Sequence, residues 1–271
     1  MTVPLDLYDR AFGDFFSPVQ TAVRRETYGE DLGQTSWITA PEWLRYAEQL
    51  AIGEGSDVLE VGSGSGGPAI YLAEKRGCRI TGVDVNAHGV ANGARLARMK
   101  GVDDRARFLA VQSDGTLPFA AAAFDVVISN DVICHLPSRL DALREWRRVL
   151  RPGGRLLYTD ALVVTGPITN DEIATRSAIG FYMFVPRGEN ERVIEEAELT
   201  LLAVEDTTSS PAVIAGRRRD ARERHRPALV ESEGEGTFTG LQRYLDCVSR
   251  LAVERRLSRF AFLAERPCTP D

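Results

Sequence analysis

Residues 58–67 read VLEVGSGSGG. A short apolar run enters a segment holding four glycines in six residues, Gly62 to Gly67. Val58 to Val61 has the texture of a buried strand. Pro68 stands where a first helical turn tolerates it and Gly77 where that helix should stop. The unit is therefore strand, tight turn, helix. Gly62, Gly64 and Gly67 also satisfy the G-x-G-x-x-G spacing of a dinucleotide-binding turn. Glycine clusters can equally mark nothing more than a flexible loop. The pattern alone leaves the ligand open, and its flanks have to choose.

Outward from this turn the alternation continues. Arg79 to Asp84 reads as a second strand, Asn86 to Lys100 as a helix closed by Gly101, Ala106 to Val111 as a third strand, and Ala123 to Asn130 as a fourth. Ser138, with Asp141 three residues on, forms a capping-box pattern that opens a helix whose Leu140, Leu143, Trp146 and Leu150 share a face. RPGGR, Arg151 to Arg155, is a tight turn into the strand Leu156 to Asp160. Such alternation predicts an α/β fold, a mostly parallel sheet with helices on both faces. The first fifty residues are helical, with a clear start at Thr39, Pro41 and Glu42. Residues 165–197 and 211–255 are read as further helix, separated by a strand near Leu199 to Glu205 and followed by the strand Leu257 to Ala264. The expected organisation is one compact unit: a helical lid at 1–56 and a core at 57–271 carrying helical cap insertions.

Composition narrows the function. The chain is 44% hydrophobic and 27% charged, with net charge -6. That balance gives no general attraction to a polyanion, so a small molecule is a better default partner than nucleic acid. Cys78, Cys134, Cys247 and Cys268 are scattered without a C-x-x-C pair, which predicts reduced thiols and no structural metal. No run reaches a membrane-spanning length, and the reading is a cytoplasmic monomer or homodimer. RRRDARERHR, Arg217 to Arg226, is read as a solvated helix face, with Asp220 and Arg224, and Arg219 and Glu223, four residues apart.

The polar residues at the strand ends address the ligand. Glu60 precedes Gly62 by two residues, where a carboxylate would repel a pyrophosphate and favour a cation. Asp84 ends the second strand, placed to accept both ribose hydroxyls, and Asp114 follows the third, placed to accept an adenine amino proton. EVGSGSGG, VDVN, QSDGTLPF, FDVVISN and LRPGGRLL, in this order over roughly half the chain, resemble successive motifs of the class I S-adenosylmethionine-dependent methyltransferases. The resemblance implies a Rossmann-like sheet of seven strands ending in an antiparallel hairpin, here Leu199 to Glu205 with Leu257 to Ala264. It also implies that Gly62, Gly64 and Gly66 give room to the methionine and ribose portions of the cofactor. Glu60, Asp84 and Val85 would border it, and Asn130 would line its methionine end.

Transfer to an alcohol needs a base near neutral pH. Of His88, His135 and His225, only His135 follows the fourth strand, in SNDVICHLP, and Asp160 ends the adjacent fifth strand. NDVICHLP and LLYTD resemble the small-molecule branch that includes sugar O-methyltransferases, sarcosine and dimethylglycine N-methyltransferases and quinone C-methyltransferases. In its sugar O-methyl members a matching histidine and aspartate act as base and partner. Asp131 competes as the catalytic carboxylate, and a loop imidazole bonded to backbone is the plain alternative for His135. The acceptor pocket is expected between Trp37, His135 and the segment holding Phe181, Tyr182 and Phe184. The expected reaction is O-methylation of a small secondary-metabolic or sugar-like acceptor. N- or C-methylation, an NAD-dependent oxidoreductase and a non-catalytic S-adenosylmethionine-binding protein are the alternatives.

Overall fold

A computed structural model describes residues 7–112 and 115–268. Strand β1, Asp57–Val61, pairs in parallel with β2, Arg79–Asp84, on one side and with β4, Phe124–Asn130, on the other. β3, Ala106–Ala110, lies outside β2, and β5, Leu150–Val164, lies beyond β4. The order therefore reverses between β1 and β4. A crevice opens there at the carboxyl ends of the strands, the usual ligand position in open α/β sheets. β7, Thr200–Asp206, and β8, Leu257–Glu265, form the antiparallel hairpin, with β8 inserted between β5 and β7.

Successive strand residues face opposite sides of the sheet, so two cores form. On one side Val58, Ile80, Val126 and Ile128 pack with Trp43, Tyr46, Ile70, Leu72 and Ala97. These come from helices α3, Ala40–Gln49, α4, Gly67–Arg76, and α5, Ala87–Lys100. On the other side Leu59, Val127, Leu156 and Tyr158 meet Leu143 and Trp146 of α6, Arg139–Val149, and Ile194 of α8, Glu189–Glu196.

Helix boundaries follow the anticipated caps. Thr39 accepts from the Glu42 amide, Asn86 from Gly89 and Ser138 from Asp141, while Gly77 and Gly101 end their helices in the left-handed region.

Two expectations need correction. The fifth strand does not begin after the RPGGR turn. It starts at Leu150, shifts register against β4, and continues past Asp160 to Val164, because β8 and the two-residue β6, Val185–Pro186, supply partners there. The region after it is only partly helical. α7, Asn170–Arg176, and α8 flank an irregular stretch where Gly180, Pro186 and Gly188 interrupt the helical pattern.

Above the crevice, α9, Ser209–Arg224, α10, Arg226–Glu233, and α11, Glu235–Val253, form the cap. Their apolar residues Ile214, Ala215, Tyr244, Leu245 and Val248 join Tyr28 and Trp37 of the N-terminal segment in one cluster. That segment begins with α1, Leu7–Gly13, and α2, Pro18–Tyr28.

Candidate active site

A cavity of about 1060 Å³ lies at the reversal point, bordered by the glycine turn, the ends of β2 and β4, the N-terminal segment and the cap. Its size is at the upper end of small-molecule sites, which suits a cofactor together with an acceptor.

The turn is held from beneath. The amides of Gly62 and Ser63 both donate to the carbonyl of Val83, and Gly64 donates to Asp84 Oδ2 at 2.7 Å. Gly62, Gly64 and Gly66 all have φ in the left-handed region. A Cβ at Gly62 would stand 2.1 Å from Val132 Cγ2, and one at Gly66 2.5 Å from the Phe108 ring. The glycines are thus required by protein packing as much as by a ligand. Gly62 and Gly64 line the cavity with their backbone, whereas Gly66 does not: it is the N-cap of α4, pressed on Phe108. Of the three glycines, Gly62 and Gly64 thus border the cavity and Gly66 packs inside the protein.

Glu60 is 2% exposed, lines the cavity, and leaves Oε2 without a hydrogen-bond partner. Burial, with the nearby Asp84 charge adding to it, pushes its carboxyl up to about 8. An orphaned buried carboxylate invites a cationic ligand group, and the ammonium and sulfonium of S-adenosylmethionine meet that demand. Asp84 also lines the cavity. Its Oδ1 accepts from the Asn86 amide at 2.9 Å and Oδ2 from Gly64, so it braces the turn. Val85, exposed at the rim, offers an apolar surface to a base ring. Asp114 lies outside the described residues.

At the end of β4, Asn130 and Asp131 belong to a buried polar network. Arg259 of β8, fully buried, donates to Asn130 Oδ1 at 2.8 Å, Asp131 Oδ1 at 2.8 Å and Glu42 Oε1 at 2.6 Å. Thr159 donates to both Asn130 and Asp131. Asn130 in turn donates to the Ser36 hydroxyl, and Asp131 Oδ2 accepts from the Trp37 amide at 3.2 Å. Asp131 sits at φ 58, an uncommon conformation for which aspartate is among the tolerated residues. Its carboxylate is thereby committed to Arg259, Thr159 and the Trp37 backbone. It ties the N-terminal segment to the sheet, which argues against a second role as proton acceptor.

His135 occupies a single 3₁₀ turn, Ile133–His135, and lines the cavity. Its Nδ1 lies 2.9 Å from the carbonyl oxygen of Phe181. A carbonyl can only accept, so Nδ1 carries the proton and Nε2 carries the lone pair. Burial lowers the imidazole pKa below its ordinary 6.5, opposed by the Phe181 carbonyl and assisted by the positive charge of Arg176. The ring is therefore neutral at neutral pH. Tyr182 packs beside it, ring centroids 4.5 Å apart. Trp37, Phe181 and Tyr182 all border the cavity, together with Ile179, Leu241 and Tyr244.

Asp160 is not the partner of this imidazole that the strand order suggested. It is fully buried away from the cavity, its Oδ2 accepting from Arg139 at 2.8 Å and Asn190 at 2.9 Å, and its Oδ1 from the Leu162 amide. The strand runs on past Asp160 to Val164, and the Asp160 side chain meets Arg139 of α6, which neutralises it. The arginine-rich stretch is also corrected. Arg219 pairs with Asp220 and Asp246, and Arg224 with Glu26, in place of the i,i+4 partners. Arg218 and Arg222 turn inward to the cavity, Arg222 bonded to buried Glu233. Arg176, Arg222 and Arg259 escaped the sequence reading because a buried arginine has no local signature. Arg259 could have been suspected as the one charge in the apolar run LSRFAFLA.

The comparisons with known proteins agree with this geometry. Residues 59–158 match the family model described as a methyltransferase domain. The chain is 33% identical over 255 residues to the 27-O-demethylrifamycin SV methyltransferase of Amycolatopsis mediterranei, covering 89% of this chain and 88% of that protein. It is 34% identical to methyltransferase GfsG of Streptomyces halstedii over 62% of this chain and 63% of that one. Among solved structures, the phosphoethanolamine N-methyltransferase 2 of Haemonchus contortus in complex with S-adenosyl-L-methionine superposes with a TM-score of 0.79 at 20% identity, over 96% of this chain and 60% of that one, a likeness of fold.

Proposed function

This chain belongs to the class I S-adenosylmethionine-dependent methyltransferases that act on small molecules, and we propose that within them it methylates an oxygen of a small secondary-metabolic or sugar-like acceptor, with His135 as general base. The cofactor supplies an activated methyl group on a sulfonium, which an acceptor takes by in-line displacement. The protein's share is to place the acceptor, exclude water and take the proton that leaves the attacking oxygen.

One observation carries the proposal: His135 borders the cavity that the glycine turn also borders, and the Phe181 carbonyl 2.9 Å from Nδ1 favours the neutral tautomer whose basic nitrogen is Nε2. An amine acceptor would need no such base once deprotonated. The relative that matches most of this chain is named for the 27-oxygen of a demethylrifamycin, which favours oxygen as acceptor here. The N-terminal segment from α1 through α3 serves as the lid. Trp37, Tyr182 and Phe181 close an apolar acceptor site, Gly62, Gly64, Glu60, Asp84, Val85 and Asn130 line the cofactor portion, and the Asn130–Arg259–Asp131 network keeps the lid in register.

The test is product mass across a panel of hydroxylated metabolites, followed by His135→Ala. The variant should lose about a hundredfold in turnover while S-adenosylhomocysteine affinity stays unchanged. Activity of the parent should fall as pH drops through an inflection below 6.5, since the neutral imidazole is the active form, and the variant should lack that limb. Undiminished turnover in the variant would exclude the base and favour amine or carbon methylation.

A further inference from the structure

Four arginines with nearly complete burial sit in or near the site, and three of them face a carboxylate. Arg139 has Asp160, Arg222 has Glu233, and Arg259 has Asp131 and Glu42. Arg176 has none. It is 2% exposed, borders the cavity at the end of α7, and its Nε and Nη1 make no hydrogen bond. Its guanidinium lies against the rings of Tyr244, at 4.9 Å, and Tyr182, at 5.4 Å. Those contacts and the carbonyl end of a two-turn helix offset part of the desolvation. Tyr244 also offers its hydroxyl as an acceptor, but Nε and Nη1 are left without one and no carboxylate faces the charge among the described residues, which is costly for a buried cation.

The other arginine of this cavity without an acid among the described residues carries charge of the same sign. Arg218 also borders the cavity, donates to the Thr35 carbonyl at 3.3 Å, and forms no ion pair among the described residues. The acids that border the cavity, Glu60, Asp84 and Asp131, come instead from the strand ends.

We infer that Arg176 is the receptor for an anionic group on the acceptor, a carboxylate or a phosphate, whose apolar remainder lies against Ile179, Leu241 and Tyr244. This rests on reading the cap end of the cavity as the acceptor site. A planar oxyanion matches the guanidinium fork and would satisfy donors that the protein leaves empty. The anion would anchor the acceptor from the cap, leaving a hydroxyl elsewhere on the molecule to meet His135.

The experiment titrates decanoate, decyl phosphate and decanol into full-length protein saturated with S-adenosylhomocysteine, followed by calorimetry. At least one anion should bind about tenfold or more tighter than the alcohol, as expected when charge-assisted hydrogen bonds are gained. Preference for decanoate or for decyl phosphate identifies which oxyanion the site takes. Arg176→Gln should abolish the preference with S-adenosylhomocysteine affinity retained, and Arg176→Lys should restore part of it. If Arg176→Gln does not fold, the parent's own discrimination and the lysine variant decide. Equal affinity for the alcohol and both anions, no binding of either anion at millimolar concentration, or a preference that survives in Arg176→Gln overturns the inference. Failure to bind S-adenosylhomocysteine at the outset would instead overturn the reading of the cavity itself.

Discussion

Replacing Glu60 by Gln isolates the electrostatics of the cofactor site. In the folded protein this carboxyl is buried beside Asp84, and its pKa stands at about 8 against an ordinary 4.5. Between these values the native state holds a proton that the unfolded chain has released, so stability falls as pH rises, by up to about 1.4 kcal/mol per pH unit. The penalty is absent below 4.5 and complete above 8, where it amounts to about 4 to 5 kcal/mol. Glutamine keeps the shape and carries no charge. Urea unfolding of the ligand-free proteins from about pH 5 to about pH 9 should therefore show Glu60→Gln gaining stability over the parent steadily with pH. Binding should move the other way: S-adenosylhomocysteine brings an ammonium group that pairs with Oε2, so the more stable variant should bind it more weakly, most clearly near pH 8. A stability difference that does not change with pH, or undiminished affinity in Glu60→Gln, would refute the assignment of an unpaired buried carboxyl awaiting a cation.

Asp84→Ala removes the acceptor for the Gly64 and Asn86 amides and should weaken S-adenosylhomocysteine binding by about 1 to 3 kcal/mol, measured by calorimetry. Arg259→Met strands Asp131 and Glu42 in a buried site and should cost about 3 to 5 kcal/mol in urea unfolding, more than any exposed ion pair in the chain. Tyr182→Ala should raise the Michaelis constant for the acceptor with S-adenosylhomocysteine affinity unchanged, because its ring packs on His135 at the side of the cavity proposed for the acceptor.

The core of the fold was legible because its signals are local. Apolar runs of strand length, caps such as Thr39, Asn86 and Ser138, and glycines at Gly77 and Gly101 act within a few residues, and the order of motifs then named the sheet. The glycine turn was equally legible as a backbone feature, although what presses on Gly62 and Gly66, Val132 and Phe108, came from distant positions. Glu60, Asp84 and His135 come to border one cavity because a strand end or a loop just beyond it delivers its side chains to one edge of a parallel sheet.

The sequence by itself therefore determined the fold, the cofactor edge and the position of His135. Tertiary structure alone decided which charges meet. Asp160 belongs to Arg139 and not to His135, Asp131 is bound to Arg259 from the far end of the chain, and Arg176 has no acidic partner among the described residues. Ion pairing depends on distances of a few ångströms between segments up to 217 residues apart, and neither periodicity nor composition encodes those distances.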